Sequence, residues 1–506
     1  MNEPGYEHLK NARLHFMGIG GQGISAVAQM ALQEGARISG CDQAASATTS
    51  MLKQKGVLVE IGHSPEHLAN ADALISVPAV VAFNPDNAEL VAAKASGMLV
   101  MTWQEMLGKW MQGKCALSVS GVHGKGTTTA MLALMLVDGG LDPTCEIGAI
   151  VPSFGVNYRI GKSQYFVNEA DEFNNNFWNY HPRLAIVTSI EFEHPEFFAD
   201  YEAFLSAFEH FIRGMDMHSN WPFPPTLVLN ADSPGCLELR ERLDDWAGHI
   251  LMYAVAGLSR TAVTEVGNRP SNARTLPDYI AYNVKLAGET SFSVKSQEQG
   301  GKAFPTDRVI HLQLPGVHNI QNALAALTAA HVIGIDDEVI INTLENFGGI
   351  GRRFEIRHQG PLEINGLAQD VILIDDYAHH PTAITATLEA ARRRFPGRRL
   401  IAVYQPHMYS RTKTFFEEFL TAFDSADVVI IADIFAGREH DTGIIHASDL
   451  VEAMAKRGRV MYGGEVQNTA KLLGSMLHSG DLAIIMGAGD IYIVTEILLH
   501  ETRESS

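Results

Sequence analysis

Residues 121–128 read Gly121-Val122-His123-Gly124-Lys125-Gly126-Thr127-Thr128 and directly follow the apolar run Cys115–Val119. A strand, a tight glycine-rich turn and a hydroxyl-rich helix start make up the architecture of a nucleotide phosphate cradle, and they commit the chain to an α/β fold. Backbone N–H groups of the turn and of the helix N-terminus would face the phosphates. Lys125 can reach the β- and γ-phosphates, and a threonine hydroxyl can hold Mg²⁺. The match to G-x-x-x-x-G-K-[ST] is imperfect: Gly126 follows the lysine, and the first hydroxyl comes at Thr127. The alternative is an ordinary glycine turn capping a helix. The coincidence of strand, lysine and threonine run favours a chain that uses ATP.

A chain of 506 residues exceeds one hydrophobic core, so several domains are expected. With 46% apolar and 19% charged residues it should be globular throughout. No apolar stretch approaches the roughly 20 residues that span a bilayer, so no membrane insertion is expected. The first residues, Met1-Asn2-Glu3-Pro4-Gly5-Tyr6-Glu7, lack a basic and apolar leader, which points to the cytoplasm. A net charge of −20 argues against binding nucleic acid or anionic lipid. Cys41, Cys115, Cys145 and Cys236 are scattered, with no C-x-x-C pair. Their spacing therefore indicates buried, reduced thiols rather than a structural zinc or a disulfide framework.

The first hundred residues alternate short apolar strands, Arg13–Met17, Ala36–Ser39, Ala73–Val77 and Met98–Met101, with helical patterns such as Gly23–Gln33. This is the rhythm of a parallel α/β sheet. A second unit starts at Cys115; its helix, Thr127–Val137, is apolar nearly all round and should be buried. Tyr165–Val167 and Leu184–Thr188 read as further buried strands. Residues 255–305 are polar and read as hairpins and loops on one edge of that domain. A third rhythm has strands at Val371–Ile374, Leu400–Tyr404, Val428–Ile431 and Leu482–Met486. Three α/β domains are expected, over residues 1–112, 113–350 and 351–506.

Gly18-Ile19-Gly20-Gly21-Gln22-Gly23 satisfies G-x-G-x-x-G between a strand and a helix, and Asp42 lies where a ribose-binding acid would sit. The pattern fits NAD or a UDP-sugar equally, or a tight helix–strand crossing. Two phosphate loops in one chain suggest one for a nucleotide-linked substrate and one for the energy source. Glu169-Ala170-Asp171-Glu172 ends the strand beginning at Tyr165. Carboxylates on that edge suit Mg²⁺. Ser189-Ile190-Glu191-Phe192-Glu193-His194 follows the next strand, and His194 is a candidate for a metal or phosphate contact. His318 and Asn319 are expected just before a helix over Ala323–Ala330, where they suit adenine edges or capping. Arg353 offers a guanidinium to a phosphate or carboxylate. Tyr377, His379 and His380 close one strand, while His407 and Arg411 follow another.

Taken together, these blocks resemble the Mur ligase family, the ATP-dependent amide ligases of peptidoglycan synthesis. The resemblance runs from about Leu14 to Ile493 and rests on HFMGIGGQGIS from His15, GVHGKGTTTAM from Gly121, EADE from Glu169, GVHNIQNALAA from Gly316, GGIGRRFE from Gly348, DDYAHHPT from Asp375, QPHMYSRT from Gln405 and GAGDI from Gly487. It implies a Rossmann-like N-terminal domain, a central P-loop-like ATP-binding domain and a Rossmann-like C-terminal domain. The alanine-adding branch is the nearest pattern. That branch activates the lactyl carboxylate of UDP-N-acetylmuramate as an acyl phosphate, which the amine of L-alanine attacks. The resemblance would place UDP-sugar binding at Gly18, Gly20, Gly21, Gly23, Ser25 and Asp42. ATP would lie on Gly121–Thr128, His318, Asn319 and Arg353. Mg²⁺ would be held by Thr127, Glu169 and His194, with Thr128 as the alternative hydroxyl. Tyr377, His379, His407 and Arg411 would serve the amino acid, and Lys125, His194, Arg353 and His379 the chemistry. The runner-up is the recycling branch, which joins a tripeptide to the same UDP-sugar. From other classes come an NAD-dependent dehydrogenase, on the first loop alone, and an inactive nucleotide-binding regulator, on Gly126. Monomer and homodimer are both compatible with this reading.

Overall fold

The structure is a computed structural model that describes residues 9–257, 277–296, 303–305, 307–364, 366–437 and 439–504. Its contacts divide the chain into two compact units. The first comprises Met1–Glu191, Leu205–Tyr253 and Ala325–Thr343; the second comprises Phe192–Phe204, Ala254–Leu324 and Leu344–Ser506.

In the first unit, strands β1 (Arg13–Met17), β2 (Arg37–Asp42), β3 (Leu58–Ile61), β4 (Ala73–Ser76) and β5 (Leu99–Thr102) form a sheet in the order β3-β2-β1-β4-β5. Every pairing is parallel. The order reverses at β1, so the glycine loop after it opens at the switch point where doubly wound sheets bind ligands. Sequence patterning missed β3, whose residues are mostly exposed.

The same unit carries β6 (Cys115–Ser120), β7 (Thr144–Val151), β8 (Val156–Arg159), β9 (Tyr165–Glu169), β10 (Leu184–Val187), β11 (Thr226–Asn230) and all but the last two residues of β12 (His249–Val255), in the order β12-β11-β10-β6-β9-β7-β8. Only β8 runs antiparallel to its neighbour. β6 and β10 are buried along their whole length, as continuous apolar runs covered on both faces should be. The helix Lys125–Asp138 is buried from Gly126 through Ala133. Asn157 Nδ2 donates to the Gln22 carbonyl at 3.2 Å, and Gln33 Nε2 donates to the Tyr158 hydroxyl at 3.1 Å, tying the two sheets of this unit together.

In the second unit, β13 (Tyr279–Lys285) and β14 (Thr290–Ser296) form an antiparallel pair, as expected of the polar segment, and β15 (Val309–Leu312), beyond that segment, pairs antiparallel with β14. The remainder of that segment, 258–276 and 297–302, lies outside the described residues. The third sheet comprises β16 (Glu355–Ile364), β17 (Leu367–Asp376), β18 (Arg399–Tyr404), β19 (Val428–Ala432), β20 (Val460–Gly464) and β21 (Asp481–Met486), in the order β16-β17-β21-β18-β19-β20. Its β17, β18 and β21 pair in parallel, so the residues following β17 and β18 emerge from one edge. Two apolar cores cover the faces of this sheet, one around Leu388 and Phe419, the other around Leu473 and Val494. No described helix is long and apolar enough to cross a membrane.

Candidate active site

The phosphate loop is shaped by steric need. Gly121 sits at φ 118°, and a Cβ there would fall 2.4 Å from Thr188 Oγ1. Gly124, at φ 82°, caps the helix Lys125–Asp138 from the left-handed region, where glycine avoids the penalty of a Cβ. The loop is fastened to the end of β10. Val122 N donates to the Ser189 carbonyl at 3.0 Å, and His123 N donates to Ser189 Oγ at 3.1 Å. No side chain caps the helix, and its first turn holds no acid. Its leading N–H groups thus point to an anion site.

Lys125 Nζ donates to both carboxylate oxygens of Glu172, at 2.7 and 2.9 Å, and lies 3.8 Å from Asp171. Burial alone would lower the Lys125 ammonium; Glu172, Asp171 and Glu169 outweigh it and hold the group above its ordinary value. The cation is therefore fixed in the loop at every physiological pH. Glu169 accepts from Gly148 N at 3.0 Å. Behind it stands Glu146, 2% exposed, pushed well above the usual carboxylate range by burial and then by Glu169. Sequence reading passed over Glu146, and it placed Glu172 among the carboxylates of its strand end without its partner Lys125, because both contacts are remote in sequence.

The three threonines differ. Thr129 Oγ1 donates to the Lys125 carbonyl at 2.8 Å and is committed to the helix. Thr128 is fully buried, and its hydroxyl has no protein partner. Thr127 is 6% exposed. Oxygen donors in this turn fit a hard cation such as Mg²⁺.

The first glycine loop is equally constrained. Gly20 N donates to Asp42 Oδ2 at 2.8 Å, so the acid expected to meet a ribose also clasps the loop. A Cβ on Gly20 would lie 2.7 Å from that oxygen, and one on Gly23 would lie 2.7 Å from the Trp103 ring. Gly18 takes φ 84° beside Val77. Gly21 caps the helix Gln22–Gln33 with no side-chain bond and no acid in the first turn. Ser25 Oγ donates to the Gln22 carbonyl at 3.0 Å.

In the second unit, Arg411 Nε donates to Glu193 Oε1 at 2.8 Å, with the guanidinium 3% exposed. Burial would raise the Glu193 carboxyl, but Arg411 holds it well below the carboxylate range. Arg411 Nη1 also lies 3.1 Å from His407 Nδ1. Arg411, expected to serve the amino acid, is thus already paired with a protein carboxylate. His379 is held well below the usual imidazole range, by burial and then by Arg411. Its ring faces Tyr377 at 5.5 Å and His407 at 6.0 Å between centroids. His380 caps the helix Pro381–Arg394. His194, at φ 57°, faces Glu196 at 3.1 Å.

Arg353 lays its guanidinium 5.0 Å over the Tyr377 ring, while Arg352 donates to the carbonyls of Gly487 and Gly489 at 2.7 and 3.2 Å. Asp376 accepts from Phe354 N and Ala378 N, at 2.8 and 2.7 Å, joining the two motifs. His318 and Asn319 do not precede their helix: Val317–Ile333 is one helix, and both lie in its first turn. Gly316, at φ 95°, stands immediately before the helix. Asn319 Nδ2 donates to the Pro315 carbonyl at 2.8 Å, so the amide serves that corner.

Residues 13–114 match the Mur ligase family, catalytic domain; residues 119–330 match the Mur ligase middle domain; residues 352–489 match the Mur ligase, glutamate ligase domain. The protein named UDP-N-acetylmuramate–L-alanine ligase in Acetivibrio thermocellus is 37% identical, over 98% of this chain and 97% of its own. That of Caldanaerobacter subterraneus is 35% identical, over 98% and 99%. Among solved structures, the UDP-N-acetylmuramate-alanine ligase of Thermotoga maritima superposes with a TM-score of 0.77 at 24% identity, covering 98% of this chain and all 100% of that one. A murein peptide ligase from Psychrobacter arcticus gives 0.69 at 23% identity, covering 97% and 98%. At these identities the two structures speak to the fold.

Proposed function

Because this chain belongs to the Mur ligase family, we propose that it joins L-alanine to the lactyl carboxylate of UDP-N-acetylmuramate, converting ATP to ADP and phosphate. The observation that carries this reading is Lys125, a charged lysine fixed at an uncapped helix N-terminus, in a chain whose full-length relatives bear that name.

A carboxylate is a poor acyl donor. In the proposed reaction a lactyl oxygen attacks the γ-phosphorus, the bond to the ADP oxygen breaks, and an acyl phosphate results. The alanine nitrogen then attacks the acyl carbon and phosphate departs. Lys125 and the helix N–H groups stabilise the charge that spreads over the transferring group. Thr127 and Glu169 supply hard oxygens for Mg²⁺, which neutralises phosphate charge when bound. His379, kept neutral with Nδ1 directed to the Tyr377 carbonyl, would offer Nε2 as a hydrogen-bond acceptor to the attacking amine. Gly18–Gly23 would cradle the diphosphate of the UDP-sugar. Arg353, Tyr377 and His407 would serve the intermediate and the amino acid.

The test is phosphate release with UDP-N-acetylmuramate, ATP and Mg²⁺, comparing L-alanine, glycine, L-serine and the recycled tripeptide. L-Alanine should give the highest kcat/KM, with glycine reduced by about 10- to 200-fold for its missing methyl. Preference for the tripeptide would move the chain to the recycling branch. Absence of ADP formation with every acceptor would defeat the reading.

A further inference from the structure

A cluster unrelated to the phosphate loop lies in the first sheet of the first unit. Glu89 is fully buried, at the start of the helix Ala88–Ala95, which Asn87 caps. A buried carboxylate ordinarily meets a fixed cation or neutralises itself. Here its neighbours are three imidazoles and a thiol. Cys41 Sγ donates to Glu89 Oε2 at 3.0 Å and lies 3.3 Å from His63 Nδ1. His63 Nδ1 meets the same oxygen at 3.2 Å, while His67 Nδ1 meets Oε1. Ser64 N donates to Oε1 at 3.1 Å.

The fourth wall is His15, 1% exposed on β1. Its Nδ1 lies 3.0 Å from Ser39 Oγ, which fixes the ring. Its Nε2 is turned toward Glu89, 3.8 Å away, and has no hydrogen-bond partner. An imidazole oriented through one nitrogen, with the other aimed at a carboxylate and a thiol, is arranged as metal ligands are. Donor atoms of His15, Cys41, His67 and Glu89 all lie within 4.8 Å of one another.

We propose that His15, Cys41, His67 and Glu89 form a structural zinc site in the N-terminal sheet, with His63 beside it. One sulfur, two imidazole nitrogens and one carboxylate oxygen suit tetrahedral Zn²⁺, a borderline-soft ion that accepts mixed donors. On binding, the thiol proton now given to Glu89 leaves to solvent and an S–Zn bond forms. Thiolate and carboxylate together then balance the divalent charge. The site bears on the first glycine loop, since the Cys41 carbonyl accepts from Gly18 N and Ile19 N at 2.9 and 3.1 Å. On this proposal the site would escape a reading of cysteine spacing, because its donors come from four separate elements.

The experiment is elemental analysis of the full chain grown with zinc and desalted, followed by cobalt(II) substitution. The expected result is one zinc per chain, and a cobalt form with intense tetrahedral visible bands and a thiolate-to-cobalt band in the near ultraviolet. Cys41→Ser should abolish the thiolate band and His67→Ala should lose zinc. Cys236→Ser, at a buried cysteine that belongs to no such cluster among the described residues, should change neither. Wild-type protein with far less than one zinc per chain and no thiolate band would mean a metal-free hydrogen-bonded cluster and overturn the proposal. So would full zinc retention in a folded Cys41→Ser/His67→Ala variant. The wild-type measurement decides even if a variant does not fold, and neither readout depends on the ligase activity.

Discussion

The two glycine-rich loops of the first unit share a backbone device and differ in charge. Each ends in a glycine that caps a helix with no side-chain bond and no acid in the first turn. Each needs its glycines for steric reasons, against Asp42 and Trp103 in one and against Thr188 in the other. Residues 18–23 contain no basic side chain, whereas the second loop carries Lys125 held by Glu172. Backbone dipoles suffice to hold a phosphate that stays whole. A phosphoryl group that changes owner gathers new charge on its oxygens, and a fixed cation stabilises that charge. On the proposed function, this difference in one side chain would separate a holding loop from a transferring one.

The sharpest way to break this comparison is Lys125→Ala. The folded variant should lose about 100-fold or more in kcat, the scale of removing a preorganised charge-stabilising donor. Steady-state ADP release measures it, with circular dichroism to verify folding; kcat near wild type would return Lys125 to a structural role.

Gly20→Ala probes the holding loop. Its Cβ would crowd Asp42 Oδ2 at 2.7 Å and break the clasp from Gly20 N. Losing about one hydrogen bond should raise KM for the UDP-sugar by about 5- to 10-fold with kcat little changed. If initial rates at varied UDP-sugar show kcat falling instead, the first loop takes part in the chemistry and the division fails.

The smallest effect separates neighbouring hydroxyls. Thr127→Ala should raise the Mg²⁺ needed for half-maximal rate by about 3- to 10-fold, the scale of one lost ligand contact. Thr129→Ala should leave it unchanged, because that hydroxyl already serves the Lys125 carbonyl at 2.8 Å. Equal effects in a Mg²⁺ titration of the two variants would assign the metal to carboxylates and water alone.

What the sequence made legible was local. The loop Gly121–Thr128 is a contiguous string, and strands such as Cys115–Ser120 are unbroken buried runs. β7 went unread because Glu146 and Gly148 interrupt its apolar pattern, and β16 because its residues are mostly polar and half exposed. The pairs that fix the charges were hidden by distance along the chain: Lys125 and Glu172 are 47 residues apart, and Arg411 and Glu193 are 218 apart. His15, Cys41, His67 and Glu89 were hidden for the same reason, since β1, β2, the turn Pro65–Leu68 and the helix Ala88–Ala95 each bring one of them to that corner. Composition reports which donors exist, and topology decides which of them meet.

The central claim is that the second loop transfers a phosphoryl group onto the substrate carboxylate. It is tested most directly with UDP-N-acetylmuramate whose lactyl carboxylate oxygens carry the heavy oxygen isotope. The enzyme would turn over with ATP, Mg²⁺ and L-alanine, and the released phosphate would be analysed by mass spectrometry. An acyl phosphate requires one carboxylate oxygen to leave with phosphorus, so the phosphate should carry one heavy oxygen per amide formed. Unlabelled phosphate alongside full amide formation would contradict the account, because the carboxylate would then have been activated without receiving the phosphoryl group.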